Sequence, residues 1–401
     1  MKAYSLLLCL VIATLLLAGC GGEATPTTAG QPTSTPPPQA APTQTAVASP
    51  TTQTLPTPTT SEAQATPTTA QSTPTSAAQS TPSAATGGTP AKVTFALDWT
   101  PNTNHTGIYV ALQKGWYKDE GLDVQILPYS DANTPDTLVA NGQADFGVSF
   151  TEAMVQDRAA NLPVKSVAAI LQTNTSALAS LKSSGLDTLA KFEGKRYSGF
   201  GSPFEVPVIT TMLKNAGAPT GKFDNITTNL SGYDAVVAKQ ADFVWIYMGW
   251  EGIQAKLDGV ALNTFMLKDN GIPDYYTPVI IANEAFLQNH GDVAKRFLDA
   301  TARGYEYGVT NPDDAANILI SAVPAGTFAN PELPIKSQEY LAPYYKMGQP
   351  RWGLQSLKMW TDYPRFMAST GLLTSGGSVV KPEDIDSGSA SLFTNDYLPQ
   401  H

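Results

Sequence analysis

The chain has 401 residues, with 24 Lys or Arg against 34 Asp or Glu and a formal net charge of −10 at pH 7. No basic stripe or Lys/Arg cluster interrupts this acidic balance, which argues against a nucleic-acid partner. Its three histidines, His105, His290 and His401, share no paired metal-ligand spacing, so neither a metal nor a cofactor is expected.

Met1-Lys2 gives a short basic start, residues 6–17 an apolar run, and Leu17-Ala-Gly-Cys20 a small-residue close. This is the order of a secretory signal peptide. Small residues before a cysteine mark the bacterial lipoprotein form, in which Cys20 carries the lipid. The run is shorter than the ~20 apolar residues of a membrane span. Residues 1–20 therefore read as a lipoprotein signal peptide, and the mature protein as lipid-anchored on the extracytoplasmic face of the cell membrane. An ordinary cleaved signal or a short anchor helix is the plainer alternative. Cys9 leaves with the signal, so Cys20 alone excludes a disulfide framework.

Residues 21–90 are rich in Thr, Pro, Ala, Ser and Gln, with Glu23 and Glu62 as their only charges. So few large apolar residues cannot bury enough surface to offset the entropy of ordering. A disordered linker is expected, its ends ~45 Å apart as a flexible coil and ~200 Å apart if extended.

From Lys92 the texture changes. Residues 93–97 read as a strand, 108–114 as a helix, 124–127 as a strand, 136–141 as a helix, 146–149 as a buried strand and 164–171 as another. Strands alternating with helices imply parallel sheets covered on both faces. The chain beyond Pro90 exceeds what one compact core usually takes, so two lobes are expected. Lobe one would be 91–183 plus 276–401 and lobe two 184–275, with crossings at 177–181 and 277–283. The expected class is α/β, in a monomer.

Four segments carry more information. Asp98-Trp-Thr-Pro-Asn-Thr-Asn-His-Thr-Gly107 sits at the first strand-to-helix turn, and Leu138-Val-Ala-Asn-Gly-Gln-Ala-Asp-Phe-Gly147 follows. Trp245-Ile-Tyr-Met-Gly-Trp-Glu-Gly252 comes later, with Asp274-Tyr-Tyr-Thr-Pro278. Together they resemble the NMT1/THI5-like domain over nearly all of residues 91–370, and within it the vitamin-binding proteins of ABC importers. The resemblance implies a two-lobed periplasmic-binding-protein type II fold that captures a flat heteroaromatic solute and delivers it to an ABC transporter permease. The long Thr/Pro tether is similar to that of a riboflavin-binding lipoprotein branch, so riboflavin is the expected solute. Formylaminopyrimidine or another thiamine-precursor pyrimidine is the alternative. Other family members are enzymes that build the thiamine pyrimidine from their own histidine and a pyridoxal cofactor. That histidine would fall at Ala153, and the cysteine-rich motif at Ile272-Pro-Asp-Tyr-Tyr276, where no sulfur is present. A non-catalytic carrier is expected; a sensor without a permease is a further reading.

A cleft for such a solute needs aromatic faces and a few placed polar groups. Trp99 offers a rigid stacking face. Asn102 and Asn104 suit ring nitrogens and carbonyls, or one of them is a helix N-cap. His105 is a ligand contact or a satisfied helix-terminal histidine. In Gly201-Ser-Pro-Phe-Glu205, the residues Ser202, Phe204 and Glu205 form a lip of the cleft or simply start a helix. Tyr247, Trp250 and Glu251 come at the C-terminal end of a buried strand, where ligands of open α/β sheets bind. The resemblance implies that Glu251 accepts hydrogen bonds from the solute; a solvated helix-start acid is the plainer reading. Tyr276, with Tyr275, closes the pocket or packs the hinge. None of residues 99–107, 199–207 or 247–252 is Arg or Lys, which favours a neutral or weakly basic solute over an anion.

Overall fold

The computed structural model describes residues 89–130, 132–230 and 232–400. The expected signal peptide, Cys20 and nearly all of the expected linker lie outside the described residues.

Among the described residues, ten strands build the two main sheets, one in each lobe. In chain order they are β1 (Ala91–Ala96), β2 (Leu122–Leu127), β3 (Phe146–Ser149), β4 (Val164–Ala169), β5 (Ser176–Leu181), β6 (Arg196–Ser198), β7 (Asp224–Ile226), β8 (Phe243–Tyr247), β9 (Leu262–Met266) and β10 (Val279–Asn283). They form two five-stranded sheets, ordered β2-β1-β3-β10-β4 and β7-β6-β8-β5-β9. β1 runs parallel to β2 and β3, and β6 runs parallel to β7 and β8. β10 lies antiparallel between β3 and β4, and β5 antiparallel between β8 and β9. The expected parallel pairing therefore holds for the strand–helix–strand units and fails for the strands that follow a crossing. Such a strand enters its sheet directly from the other lobe, without the crossover helix that parallel pairing requires.

Residues 177–181, expected to cross between lobes, lie inside the second sheet as most of β5, and residues 279–283 of the expected return are β10 in the first. The chain passes between the sheets just before each of these strands. An apolar run reads alike for a hinge segment and for a strand buried on both faces, which is what β3, β5 and β10 are.

Alternation sorts the remaining side chains. Phe243 and Trp245 of β8 face one core with Phe192, Tyr197 and Phe204, while Val244 and Ile246 face another with Ala235 and Val236. In the first lobe, Phe95 and Phe146 pack on Phe297 of the long helix Gly291–Thr310, the Phe146 and Phe297 rings stacking at 4.2 Å. That helix lies directly on Thr106–Gln113 because glycines meet there: a Cβ on Gly304 would overlap the backbone of Gly107. Close helix contact fixes the start of Thr106–Gln113, and with it the turn after β1.

The two crossings are tied to each other. The Asp274 carboxylate accepts from Thr173 Oγ1 at 2.6 Å, from the Asn174 N–H at 2.9 Å and from the Tyr275 N–H at 2.9 Å. A second link comes from the helix Glu332–Lys346. There the Ser337 hydroxyl donates to the Gly249 carbonyl, so Thr103 Oγ1 must be the donor in its 2.5 Å bond to Ser337 Oγ.

Candidate ligand-binding cleft

The turn after β1 forms one wall. Trp99 is 54% exposed, with its ring 5.0 Å from that of Tyr129. Asn102 is the N-cap of the short helical turn Thr103–His105. Its Oδ1 accepts from the Asn104 N–H at 2.9 Å, and its Nδ2 donates to the Thr100 carbonyl at 3.0 Å. The Asn102 N–H donates to His105 Nδ1 at 3.2 Å, which places the ring proton on Nε2, 2.8 Å from Asp98 Oδ1. His105 is fully buried with both nitrogens occupied. Asn104 gives its carbonyl to the Tyr305 hydroxyl at 2.7 Å. Of these predicted site residues, Trp99 is the one with a large free face, while Asn102 and His105 hold the turn that presents it.

The lip after β6 is organised by Glu205. Its buried carboxylate accepts from the Tyr197 hydroxyl at 2.5 Å, the Phe200 N–H at 3.0 Å and the Ser202 N–H at 2.6 Å. Gly199 is required beneath it, because a Cβ there would overlap both the carboxylate and the Tyr197 hydroxyl. The loop so folded leaves Phe200 exposed, 6.1 Å from the Tyr247 ring and nearly parallel to it. Phe204 is buried instead, between Trp245 of its own lobe at 6.0 Å and Phe150 of the first lobe at 6.1 Å. Ser202 takes part through its backbone.

At the end of β8, Glu251 Oε2 accepts from the Tyr247 N–H at 2.9 Å, and burial raises the carboxyl's pKa above its usual value. Trp250 turns toward Phe328, 6.1 Å away. The crossing supplies Tyr275, stacked on Tyr363 at 3.8 Å, and Tyr276, whose hydroxyl accepts from the Ser356 N–H at 3.0 Å. The Tyr276 carbonyl accepts from Thr151 Oγ1 at 2.6 Å, which joins the crossing to the start of the helix Thr151–Ala159.

The buried polar groups of four residues were not anticipated from the sequence. Glu152 follows Thr151 and is 3% exposed; its Oε1 lies 3.4 Å from the Tyr363 hydroxyl, the Tyr275 hydroxyl also bears on the carboxyl, and its Oε2 has no hydrogen-bond partner among the described residues. Trp245 Nε1 and Asn174 Nδ2 are likewise buried without partners. The signal for Glu152 was available: Ser149-Phe-Thr-Glu152 is another strand-to-helix turn at a strand's C-terminal end. Tyr363 offered none, since it arrives from the helix Met359–Ser369, more than 200 residues later in the chain.

Burial pushes the Tyr247, Tyr275 and Tyr363 hydroxyls well above their usual pKa, with carboxylates adding to the effect; for Tyr247 these are Glu152, Glu251, Asp98 and Glu205. The phenols therefore stay protonated as donors, the carboxylates serve as acceptors, and the aromatic rings offer stacking faces. The charged groups that weigh most on Tyr247 among the described residues are these carboxylates. An arrangement of this kind holds a flat ring bearing N–H groups and disfavours an anion.

The family model described as NMT1/THI5 like matches residues 102–315. The chain belongs to the NMT1/THI5-like family. It is 32% identical over 233 residues to a formylaminopyrimidine-binding protein of Halalkalibacterium halodurans, covering 57% of this chain and 70% of that one. It is 28% identical over 236 residues to a 4-amino-5-hydroxymethyl-2-methylpyrimidine phosphate synthase of Legionella pneumophila, covering 58% and 74%. Among solved structures it is similar to a Candida albicans protein described as having the generic periplasmic binding protein fold. That match has a TM-score of 0.52 and 17% identity, and it covers 78% of this chain and 98% of that one. The two-lobed α/β fold expected from the sequence is thus the observed one.

Proposed function

We propose that this protein is the extracytoplasmic solute-binding component of an ABC importer for a thiamine-precursor pyrimidine of the formylaminopyrimidine kind. The observation that carries the reading is a cleft of protonated tyrosines and buried carboxylates, in a chain 32% identical to a formylaminopyrimidine-binding protein. The lobes hinge shut on the ring and the closed form is read by the permease. Riboflavin, expected from the tether, gives way as the favoured solute. The tether lies outside the described residues, and the curated relatives named above carry names from pyrimidine chemistry. The carrier reading is preferred to the synthase reading because Ala153 stands where the reactant histidine would fall and residues 272–276 hold no cysteine. Lipid attachment at Cys20, delivery from the outer face of the cell membrane and a monomeric state complete the proposal; no helix among the described residues is long and apolar enough to cross a membrane.

Titration of the lipid-free mature chain with formylaminopyrimidine and with riboflavin, followed by tryptophan fluorescence, tests this directly. Saturable quenching by the pyrimidine alone is expected. Saturable binding of riboflavin with none of the pyrimidine overturns the solute, and turnover of the pyrimidine's precursors by the purified protein overturns the carrier role.

A further inference from the structure

Three side chains bordering the cleft end in buried atoms that no group among the described residues satisfies: Glu152 Oε2, Asn174 Nδ2 and Trp245 Nε1. Buried polar atoms are nearly always hydrogen-bonded, and the exceptions call for an explanation. One of these three is an acceptor when ionised and two are donors. An amino-substituted pyrimidine presents the reverse set, an N–H donor beside ring nitrogens that accept.

Glu152 is the most informative of the three. It stands in the first turn of the helix Thr151–Ala159, at the C-terminal end of β3, where the other wall residues also emerge from strand ends. Tyr275 and Tyr363 close in on it from the crossing and from the helix Met359–Ser369, and Tyr247 faces it from the second lobe. These phenols are the titratable groups that face it; Asp98, Glu205 and Glu251 reach the same space through their effect on Tyr247. No lysine, arginine or histidine contributes to its surroundings. A carboxyl sunk among tyrosines with one oxygen unpaired is poorly placed to stabilise the free fold. It is well placed to grip something inserted between the lobes.

Resting on the pyrimidine-binding reading, we propose that Glu152 is a specificity-determining contact, whose free oxygen takes an N–H from the edge of an amino-substituted heteroaromatic ring held between the lobes. Burial pushes its carboxyl up to about 7, so near neutrality the ionised form accepts from an amine and the protonated form donates to a ring nitrogen. In either form one proton is shared between protein and ring, which selects weakly basic amino-heteroaromatics and rejects anions of the same size.

The test is calorimetric titration of the mature chain and of Glu152→Gln and Glu152→Leu with formylaminopyrimidine between pH 5.5 and 8.5, beside thermal unfolding of each free protein. Loss of the charge-assisted bond in Glu152→Gln should weaken binding about 10-fold and flatten its pH dependence. Glu152→Leu should weaken it about 100-fold or more, while the free proteins melt at or above the parent temperature. A purely structural glutamate would do the opposite, lowering the melting temperature and leaving the affinity alone. Parent-like affinity and pH profile in Glu152→Gln overturns this assignment and leaves the pyrimidine reading standing. A parent protein that binds no pyrimidine at any pH overturns that reading and this assignment with it.

Discussion

Removing the Glu205 side chain should destabilise the protein far more than a loop substitution usually does. Glu205→Ala takes the acceptor from three donors at once: the Tyr197 hydroxyl and the Phe200 and Ser202 N–H groups. Tyr197 is fully buried against Phe243 and Phe223, so its hydroxyl finds no water. Leaving such a group unsatisfied costs about 1–3 kcal/mol. The two N–H groups sit nearer the surface and recover much of their loss by hydration, adding ~0.5–1 kcal/mol each. The total is about 2–5 kcal/mol, measured as the shift in urea unfolding free energy of the second lobe. Adding Tyr197→Phe should return ~1 kcal/mol or more, because it removes the stranded hydroxyl, and a double-mutant cycle isolates that coupling. A loss under about 1 kcal/mol for Glu205→Ala, or strict additivity with Tyr197→Phe, refutes the view that this carboxylate builds the lip.

Gly304→Ala should lower stability by about 3 kcal/mol, since the added carbon meets the Gly107 backbone instead of a movable side chain; a midpoint of urea unfolding within error of the parent would contradict the close helix contact. Trp99→Ala and Phe200→Ala remove half-exposed rings, and each should weaken solute binding about 10-fold at little change in melting temperature, in keeping with stacking energies of ~0.5–1.5 kcal/mol; unchanged affinity in both would move the site elsewhere. Buried Asp136 lies beside half-buried Asp157, and burial and their mutual repulsion push Asp157 up to about 8. A carboxyl with a raised folded-state pKa contributes stability that is present at low pH and lost as pH rises toward that value. Asp157→Asn should therefore gain stability over the parent at pH 8, with the gain vanishing near pH 4; urea unfolding at both values tests the sign.

Several strands of the fold could be read in advance because local pattern and final burial agree. Residues 146–149 form β3 as expected, and the buried run that opens at Phe243 became β8. The crossings were harder to read, since Ala177 and Val279 belong to apolar runs that look alike inside a sheet and between sheets. The rule that ligands gather at strand ends pointed to Tyr247, Trp250 and Glu251, and the need for a stacking face pointed to Trp99. Composition could not separate contact from support: Asn102, His105 and Glu205 carry the same donors and acceptors as a ligand shell, and only their partners show that they hold the walls. Glu152, although at a strand's end, was passed over for the converse reason. A glutamate in a helix's first turn looks solvent-facing until Tyr275 and Tyr363, remote in sequence, cover it. The helix Glu332–Lys346, which carries Ser337 to the second lobe, was masked by its internal Pro343.

The Asp274 clamp has a mechanical meaning. With Thr173, Asn174 and Tyr275 all bonded to one carboxylate, the two connecting strands cannot slide past each other as separate cables. They act as a single pin, and the lobes turn about it as plates do. Under that constraint the size of a ring held between the lobes would be converted into an angle, a wider guest propping the plates further apart at their outer rims. In the proposed carrier role, a permease reading those rims would sense the width of the guest as rotation, without inspecting the guest itself.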